Sequence, residues 1–218
     1  MSRYTEPEWS NAALITIDTQ CDTLDGQPFE MPGTSAILPR MRTLLEAFRT
    51  VEKPIIHIVR IYKADGSNVD LCRKEFVEQG IALVLAGSSG CQLVPELLPH
   101  AGIELDADLL LSGGIQTINS REVVIYKPRW GAFYKTPLEQ YLRGQGISTL
   151  VFSGCNFPNC PRTSIYEASE RDFRVVLVDD AISGLYDQGR QEMKNIGVEV
   201  LSTSQVIDAV NRNDSKQV

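Results

Sequence analysis

Three residues far apart in the chain carry the groups that nucleophilic chemistry on a carbonyl requires. Asp18 follows the apolar run Ala12-Ala13-Leu14-Ile15-Thr16-Ile17, and Lys127 follows Glu122-Val123-Val124-Ile125-Tyr126. Cys160 closes the turn Ser153-Gly154-Cys155-Asn156-Phe157-Pro158-Asn159, which leaves the run Thr149-Leu150-Val151-Phe152. A thiol that attacks an amide needs a base for its proton, a positive charge, and donors for the developing oxyanion. Asp18 can serve as base and then as acid to the leaving amine, Lys127 can supply the charge, and backbone N–H groups of the 154–160 turn can face the oxyanion. A sulfur at a strand-to-helix turn, near the positive end of a helix, is expected to have a depressed pKa. Neither histidine suits a Cys–His pair: His57 falls mid-strand and reads as core, and His100 follows Pro99 in a loop.

Short β-branched runs alternate with helical patterns, and this is what must bring the three residues together. Strands are expected at 12–17, 55–59, 122–126, 149–153, 173–178 and 198–200. Helices are expected at 35–51, near 69–79, at 137–144, from about 161 to 171, at 184–194 and at 203–211. In the first helix Ile37, Leu38, Met41, Leu44, Leu45 and Phe48 form an apolar stripe, with Pro39 placed in the first turn. The segment 100–121 is irregular and has room for a small hairpin. Strands separated by helices imply right-handed βαβ units. The expected fold is therefore a Rossmann-like, three-layer α/β/α domain with a mostly parallel central sheet of about six strands. It spans residues 1–213, followed by a frayed tail at 214–218. Ligands of such sheets sit at the carboxyl ends of the strands, where Asp18, Lys127 and Cys160 all fall.

Composition excludes several classes. At 218 residues, 43% of them hydrophobic, the chain can bury the core of one domain. A net charge of −7 without a Lys/Arg cluster argues against nucleic acid as a partner. No apolar window approaches a membrane span, and the polar opening Met1-Ser2-Arg3-Tyr4-Thr5-Glu6-Pro7-Glu8-Trp9 gives no secretory leader, so a cytoplasmic location is expected. Cys21, Cys72, Cys91, Cys155 and Cys160 are odd in number and read as reduced thiols. With two histidines and no second Cys pair nearby, a structural zinc site is not expected. Two readings stay open on residues alone: a cysteine hydrolase of small molecules, or a thiol redox or sensing protein that uses Cys155 with Cys160.

Three blocks then resemble the isochorismatase-like cysteine hydrolases. Ala13-Leu14-Ile15-Thr16-Ile17-Asp18-Thr19-Gln20 is similar to that family's strand ending in Asp-x-Gln. Lys127-Pro128-Arg129-Trp130-Gly131-Ala132-Phe133 resembles its Lys-Pro-x-x-x-Ala-Phe segment. Gly154-x5-Cys160, with Asp180-Ala181 after the next strand, resembles its nucleophile turn. The resemblance implies Asp18 as proton shuttle, Lys127 as electrostatic partner and Cys160 as nucleophile. It also implies a cis peptide at Cys155–Asn156, aiming the N–H groups of Asn156 and Cys160 at the oxyanion. The implied reaction cleaves a C–N bond of a small amide, ureido or carbamoyl compound through a thioester-type intermediate, releasing ammonia, in a homo-oligomer. Family members that cleave isochorismate use vinyl-ether chemistry, a second reading within the family that the presence of Cys160 disfavours.

The chain also departs from the family. Arg60-Ile61-Tyr62 stands where the nicotinamidase branch carries a metal-binding Asp-x-His, so no metal and no organic cofactor is expected. Phe157-Pro158-Asn159 replaces the usual Thr-Asp/Asn-Val, which makes Phe157 a candidate for reshaping the pocket wall. The 100–121 connection is longer than usual, a place for an altered lid or subunit contact. Gln20, Arg60, Trp130 and Phe157 are the candidate substrate contacts, by their positions at expected strand ends, with Arg60 or Arg162 able to grip a carboxylate.

Overall fold

The computed structural model describes residues 3–214. Its strands are β1 (Ala12–Ile17), β2 (Ile55–Val59), β3 (Ile115–Asn119), β4 (Glu122–Tyr126), β5 (Thr149–Gly154), β6 (Arg174–Ile182) and β7 (Glu199–Leu201). They form one sheet in the order β3-β4-β2-β1-β5-β6-β7, in which every neighbouring pair is parallel except β3 with β4. The longer helices are α1 (Thr34–Thr50), α4 (Leu138–Gly144), α5 (Cys160–Ser169), α6 (Asp187–Asn195) and α7 (Thr203–Asp214); α2 (Lys74–Glu78) and α3 (Ala107–Leu111) are short.

Strand periodicity builds the layers. Along β1, Ala13, Ile15 and Ile17 enter one apolar cluster with Ile165 of α5 and Leu138 and Leu142 of α4. Leu14 points the other way, into a cluster with Met41, Leu44 and Phe48 of α1 and Val206 and Val210 of α7. The same alternation splits Leu150 and Phe152 from Val151 in β5, and Val175 and Leu177 from Val176 and Val178 in β6. Both faces are covered, which is why these strands read as continuous apolar runs. β1 lies between β2 and β5, so the crossovers leave it in opposite directions and open a crevice at the carboxyl ends.

Four expectations need correction. The sheet has seven strands: Ile115–Asn119 pairs antiparallel with β4 through the two-residue connection Ser120-Arg121, so the 100–121 segment supplies α3 and an edge hairpin. β6 continues past Val178 to Ile182, because Gly154 of β5 pairs with Ile182 and extends the ladder. Asp179 and Asp180 therefore lie within the strand, where Asp179 binds Arg190 at 2.7 Å and Asp180 accepts from Thr203 N at 2.7 Å at the start of α7. Pro39 is the sixth residue of α1, beyond its first turn, because the helix begins at Thr34 after Gly33 in a left-handed conformation (φ 83°). Of the tail expected at 214–218, Asp214 ends α7 and residues 215–218 lie outside the described residues. No helix among the described residues is long and apolar enough to cross a membrane.

Candidate active site

The sheet itself sets the site residues in place. Each backbone N–H at a strand end makes one last rung on its neighbour: Asp18 N to Ile58 O at 2.9 Å, Lys127 N to Val59 O at 3.0 Å, and Cys155 N to Ile17 O at 2.9 Å. Asp18 leaves β1 with φ 48°, a left-handed turn that Asp tolerates better than most side chains. Gly154 leaves β5 at φ 113°, and a Cβ there would lie 2.3 Å from Ile17 O, so only glycine lets the two chains approach. The chain then turns through Asn156-Phe157-Pro158-Asn159 and enters α5 with Cys160 as its first residue and Pro161 next.

Lys127 Nζ sits 2.8 Å from Asp18 Oδ2, and both groups are buried, with Lys127 showing no exposed side-chain surface. Nζ also donates to Arg129 O at 3.3 Å. The second carboxylate oxygen, Asp18 Oδ1, is buried without a hydrogen-bond partner, and Cys160 lines the same pocket as Asp18. The sequence placed these three groups together, and the structure brings them together at one edge of the sheet. The thiol pKa differs from expectation. Burial raises it above its usual value, and the Asp18 charge adds to this, while Lys127 and Arg60 lower it without prevailing. Desolvation penalises the thiolate, so the site favours the protonated thiol.

Cys155 is fully buried under the site, where its Sγ donates to Asp18 O at 3.1 Å. Burial, with the Asp18 charge, pushes its pKa up to about 12. Its thiol supports the backbone of the Asp18 turn. The cis peptide expected at Cys155–Asn156 is absent: no described peptide bond is cis. The turn's reversal is made by Gly154 at positive φ and by Asn159 at φ −114°, ψ −106°, so no cis bond is needed to direct it. Phe157 N donates to Ser183 O at 2.8 Å, whereas no described group takes the Asn156 or Cys160 N–H. Asn156 and Cys160 both line the pocket.

The pocket is bordered by Asp18, Arg60, Asn156 and Cys160, and also by Phe29, Met31, Arg73 and Val84. The four candidate contacts divide within it. Arg60 reaches the pocket although it is only 2% exposed. Gln20 borders it, but its amide is fully engaged with backbone, donating to Arg60 O at 2.8 Å and to Cys91 O while accepting from Arg60 N at 2.8 Å. Trp130 is half-buried away from the pocket, its ring 5.6 Å from the Arg73 guanidinium. Phe157 is wholly buried in the core, edge-on to Tyr186 at 5.7 Å. It does not reshape the pocket wall, because Gly189 of α6 leaves the space its ring occupies: a Cβ there would come within 2.5 Å of Phe157 Cε1. Arg162 pairs with Glu192 and Tyr186 on the outer side of α5. Phe29, Met31 and Val84 were missed by sequence reasoning because they lie on irregular segments without a period to read, and Arg73 because its place in an expected helix does not mark it as a pocket residue. His57 is buried mid-strand as expected, between Thr16 Oγ1 at 2.7 Å and Glu122 Oε1 at 2.8 Å.

A three-layer Rossmann-like sheet with Asp, Lys and Cys converging at its carboxyl edge defines the class of this protein. The chain belongs to the isochorismatase family of hydrolases, since the isochorismatase domain matches residues 12–105 and 115–205. It is 27% identical over 197 residues to a probable inactive nicotinamidase of Arabidopsis thaliana, covering 87% of this chain and 91% of that protein. It is 26% identical over 205 residues to N-carbamoylsarcosine amidase of an Arthrobacter species, covering 89% of this chain and 69% of that enzyme. Among solved structures, an isochorismatase family protein from Desulfovibrio vulgaris superposes with a TM-score of 0.78 at 29% identity, covering 92% of this chain and 98% of that one.

Proposed function

We propose that this protein hydrolyses the C–N bond of a small amide, ureido or carbamoyl compound, with Cys160 as nucleophile. The observation that carries the reading is the buried Asp18–Lys127 ion pair, at 2.8 Å, on the pocket that Cys160 also lines. A thiol held protonated against a carboxylate is poised to hand over its proton as it attacks, so the proton moves only when a carbonyl is present to accept the sulfur's electron pair. In the first half-reaction the Cys160 S–H proton passes to Asp18 while Sγ bonds the carbonyl carbon. The oxyanion is met by the N–H groups of Asn156 and Cys160. Asp18 then gives the proton to the departing nitrogen, the C–N bond breaks, and ammonia leaves a thioester or thiocarbamate. In the second, water adds to that carbonyl and loses its proton to Asp18. The C–S bond breaks and the proton returns to Cys160.

Lys127 supplies the positive charge that faces the Asp18 carboxylate at 2.8 Å. A relative that is an N-carbamoylsarcosine amidase supports the amide class. The relative described as a probable inactive nicotinamidase makes activity itself the point to test. Ammonia release over a panel of small amides, ureido acids and carbamoyl compounds is that test. Turnover that disappears in Cys160→Ala and largely persists in Cys155→Ser is the expected result. Turnover surviving Cys160→Ala, or no turnover on any member, refutes it, and loss in Cys155→Ser would favour a dithiol mechanism. A homo-oligomer and a cytoplasmic location belong to the same proposal, the first checked by light scattering and the second by fractionation.

A further inference from the structure

Arg60 is the largest side chain buried at the pocket, and it is only half satisfied. Its Nη1 donates to Asp70 Oδ2 at 2.7 Å and to Pro128 O at 2.9 Å. Its Nε and Nη2 are buried and have no hydrogen-bond partner. A guanidinium stays charged at any working pH, and buried donors left unpaired are costly, so such an edge calls for an acceptor. The two open donors are not scattered. Nε–H and one Nη2–H lie parallel on the same side of the planar group, the edge that meets both oxygens of a carboxylate at once.

The rest of the group is fixed so that this edge stays open. Gln20 clamps the Arg60 backbone from both sides, accepting from its N–H and donating to its carbonyl, each at 2.8 Å. Asp70 holds the far nitrogen and is itself shared with Tyr62, whose hydroxyl donates to Oδ2 at 2.6 Å, and with Arg73 at 3.6 Å. Arg73 borders the same pocket. One carboxylate thus faces two pocket guanidiniums, while the Asp18 charge is already met by Lys127 at 2.8 Å. Counting Arg60, Arg73 and Lys127 against Asp18 and Asp70, these groups carry an excess of positive charge.

We propose that Arg60 receives a carboxylate of the substrate through its Nε/Nη2 edge, so that the compounds this site takes are small acids with the scissile amide or ureido group a few bonds away. The inference rests on the C–N hydrolase reading for the role of Cys160 and names the substrate class within it. Neutral amides of the same size would leave the Arg60 edge unpaired in the complex, and they are disfavoured for that reason. Gln20 and Asp70 act on this step only through Arg60, as positioning residues.

The test uses Cys160→Ala protein, which cannot turn over, titrated calorimetrically with N-carbamoylglycine and the monoamides of maleic and succinic acid, each against its methyl ester. At least one acid is expected to bind about tenfold or more tightly than its ester, the scale of a charge-assisted hydrogen-bonded pair. Adding Arg60→Lys should remove most of that preference while leaving ester binding in place, because an ammonium cannot reproduce the two-donor edge. If no acid outperforms its ester, the proposal fails, and this comparison needs no change at Arg60 and no assumption about the folding of that variant. Ammonia release by the unmodified protein separates the two readings. Neutral amides hydrolysed without any preference for acids would leave the hydrolase reading standing and sink the carboxylate site. Acids bound through Arg60 with no ammonia released would do the reverse.

Discussion

Replacing Lys127 with Met tests the electrostatic core of the site in one step. The ammonium has no solvent exposure and lies 2.8 Å from Asp18 Oδ2, whose side chain is only 12% exposed. At an effective dielectric near 20 the gross attraction across that gap is about 6 kcal/mol, and most of it offsets the cost of burying both ions. Lys127→Met leaves the Asp18 carboxylate in the same buried position with no counter-charge, and loss of one partner of a buried pair costs about 3–5 kcal/mol. Asp18→Asn strands the ammonium in the same way and should cost a similar amount. In Asp18→Asn with Lys127→Met neither charge remains, so the double variant should be destabilised by about 2–3 kcal/mol less than the sum of the singles. Urea unfolding of the four proteins measures the coupling. A coupling below about 0.5 kcal/mol would mean that the pair does not interact as its geometry requires, and the assignment of Lys127 as the electrostatic partner of Asp18 would fall with it. The same replacement removes a charge that lowers the Cys160 pKa, so the thiol should become still harder to ionise.

Three further outcomes follow from individual contacts. Because burial and Asp18 raise the Cys160 pKa above its model-peptide value of 9.0, iodoacetamide labelling of Cys160, read by mass spectrometry, should climb only above pH 9 and show no plateau near neutrality. The linkage has a definite sign: above pH 9 the unfolded chain loses this proton and the folded one keeps it, so the contribution of Cys160 lowers stability as pH rises past 9. Gly154→Ala puts a Cβ 2.3 Å from Ile17 O at φ 113° and should cost about 3 kcal/mol or more by thermal unfolding, a figure that a cost under about 1 kcal/mol would contradict. Phe157→Leu should lower stability by about 1–2 kcal/mol through its lost contact with Tyr186. It should leave KM unchanged for any substrate found; a large KM shift would return Phe157 to the pocket.

How far the sequence speaks for this site depends on which kind of signal each residue carries. Asp18 and Lys127 were legible because each follows a strand buried on both faces, and Cys160 because the turn it closes leaves another; such strands are continuous apolar runs. β3 was harder to read, since Ile115–Asn119 is an edge strand with most of its positions half-buried or exposed, and its pattern differs little from a loop. Local pattern also misjudged Phe157: a residue in a loop beside a nucleophile reads as pocket, and only the space left by Gly189, 32 positions later, makes it core. Gln20 shows the same limit from the other direction. Its place two residues after Asp18 suggests a hand on the substrate, yet its amide is closed on the backbone of Arg60 and Cys91.

The thiol pKa shows most clearly what spacing cannot carry. A helix terminus is visible in sequence and argues for thiolate, whereas desolvation is a property of the assembled site and raises the thiol pKa here. That reversal changes the chemistry expected of the site. A pre-formed thiolate would react with any electrophile that entered. A protonated Cys160 beside Asp18 becomes nucleophilic only when a carbonyl is held where the sulfur can attack as the proton leaves. Selectivity then depends on what holds the substrate, and Arg60, which lines the same pocket and has two unpaired donors, is the group proposed to do it.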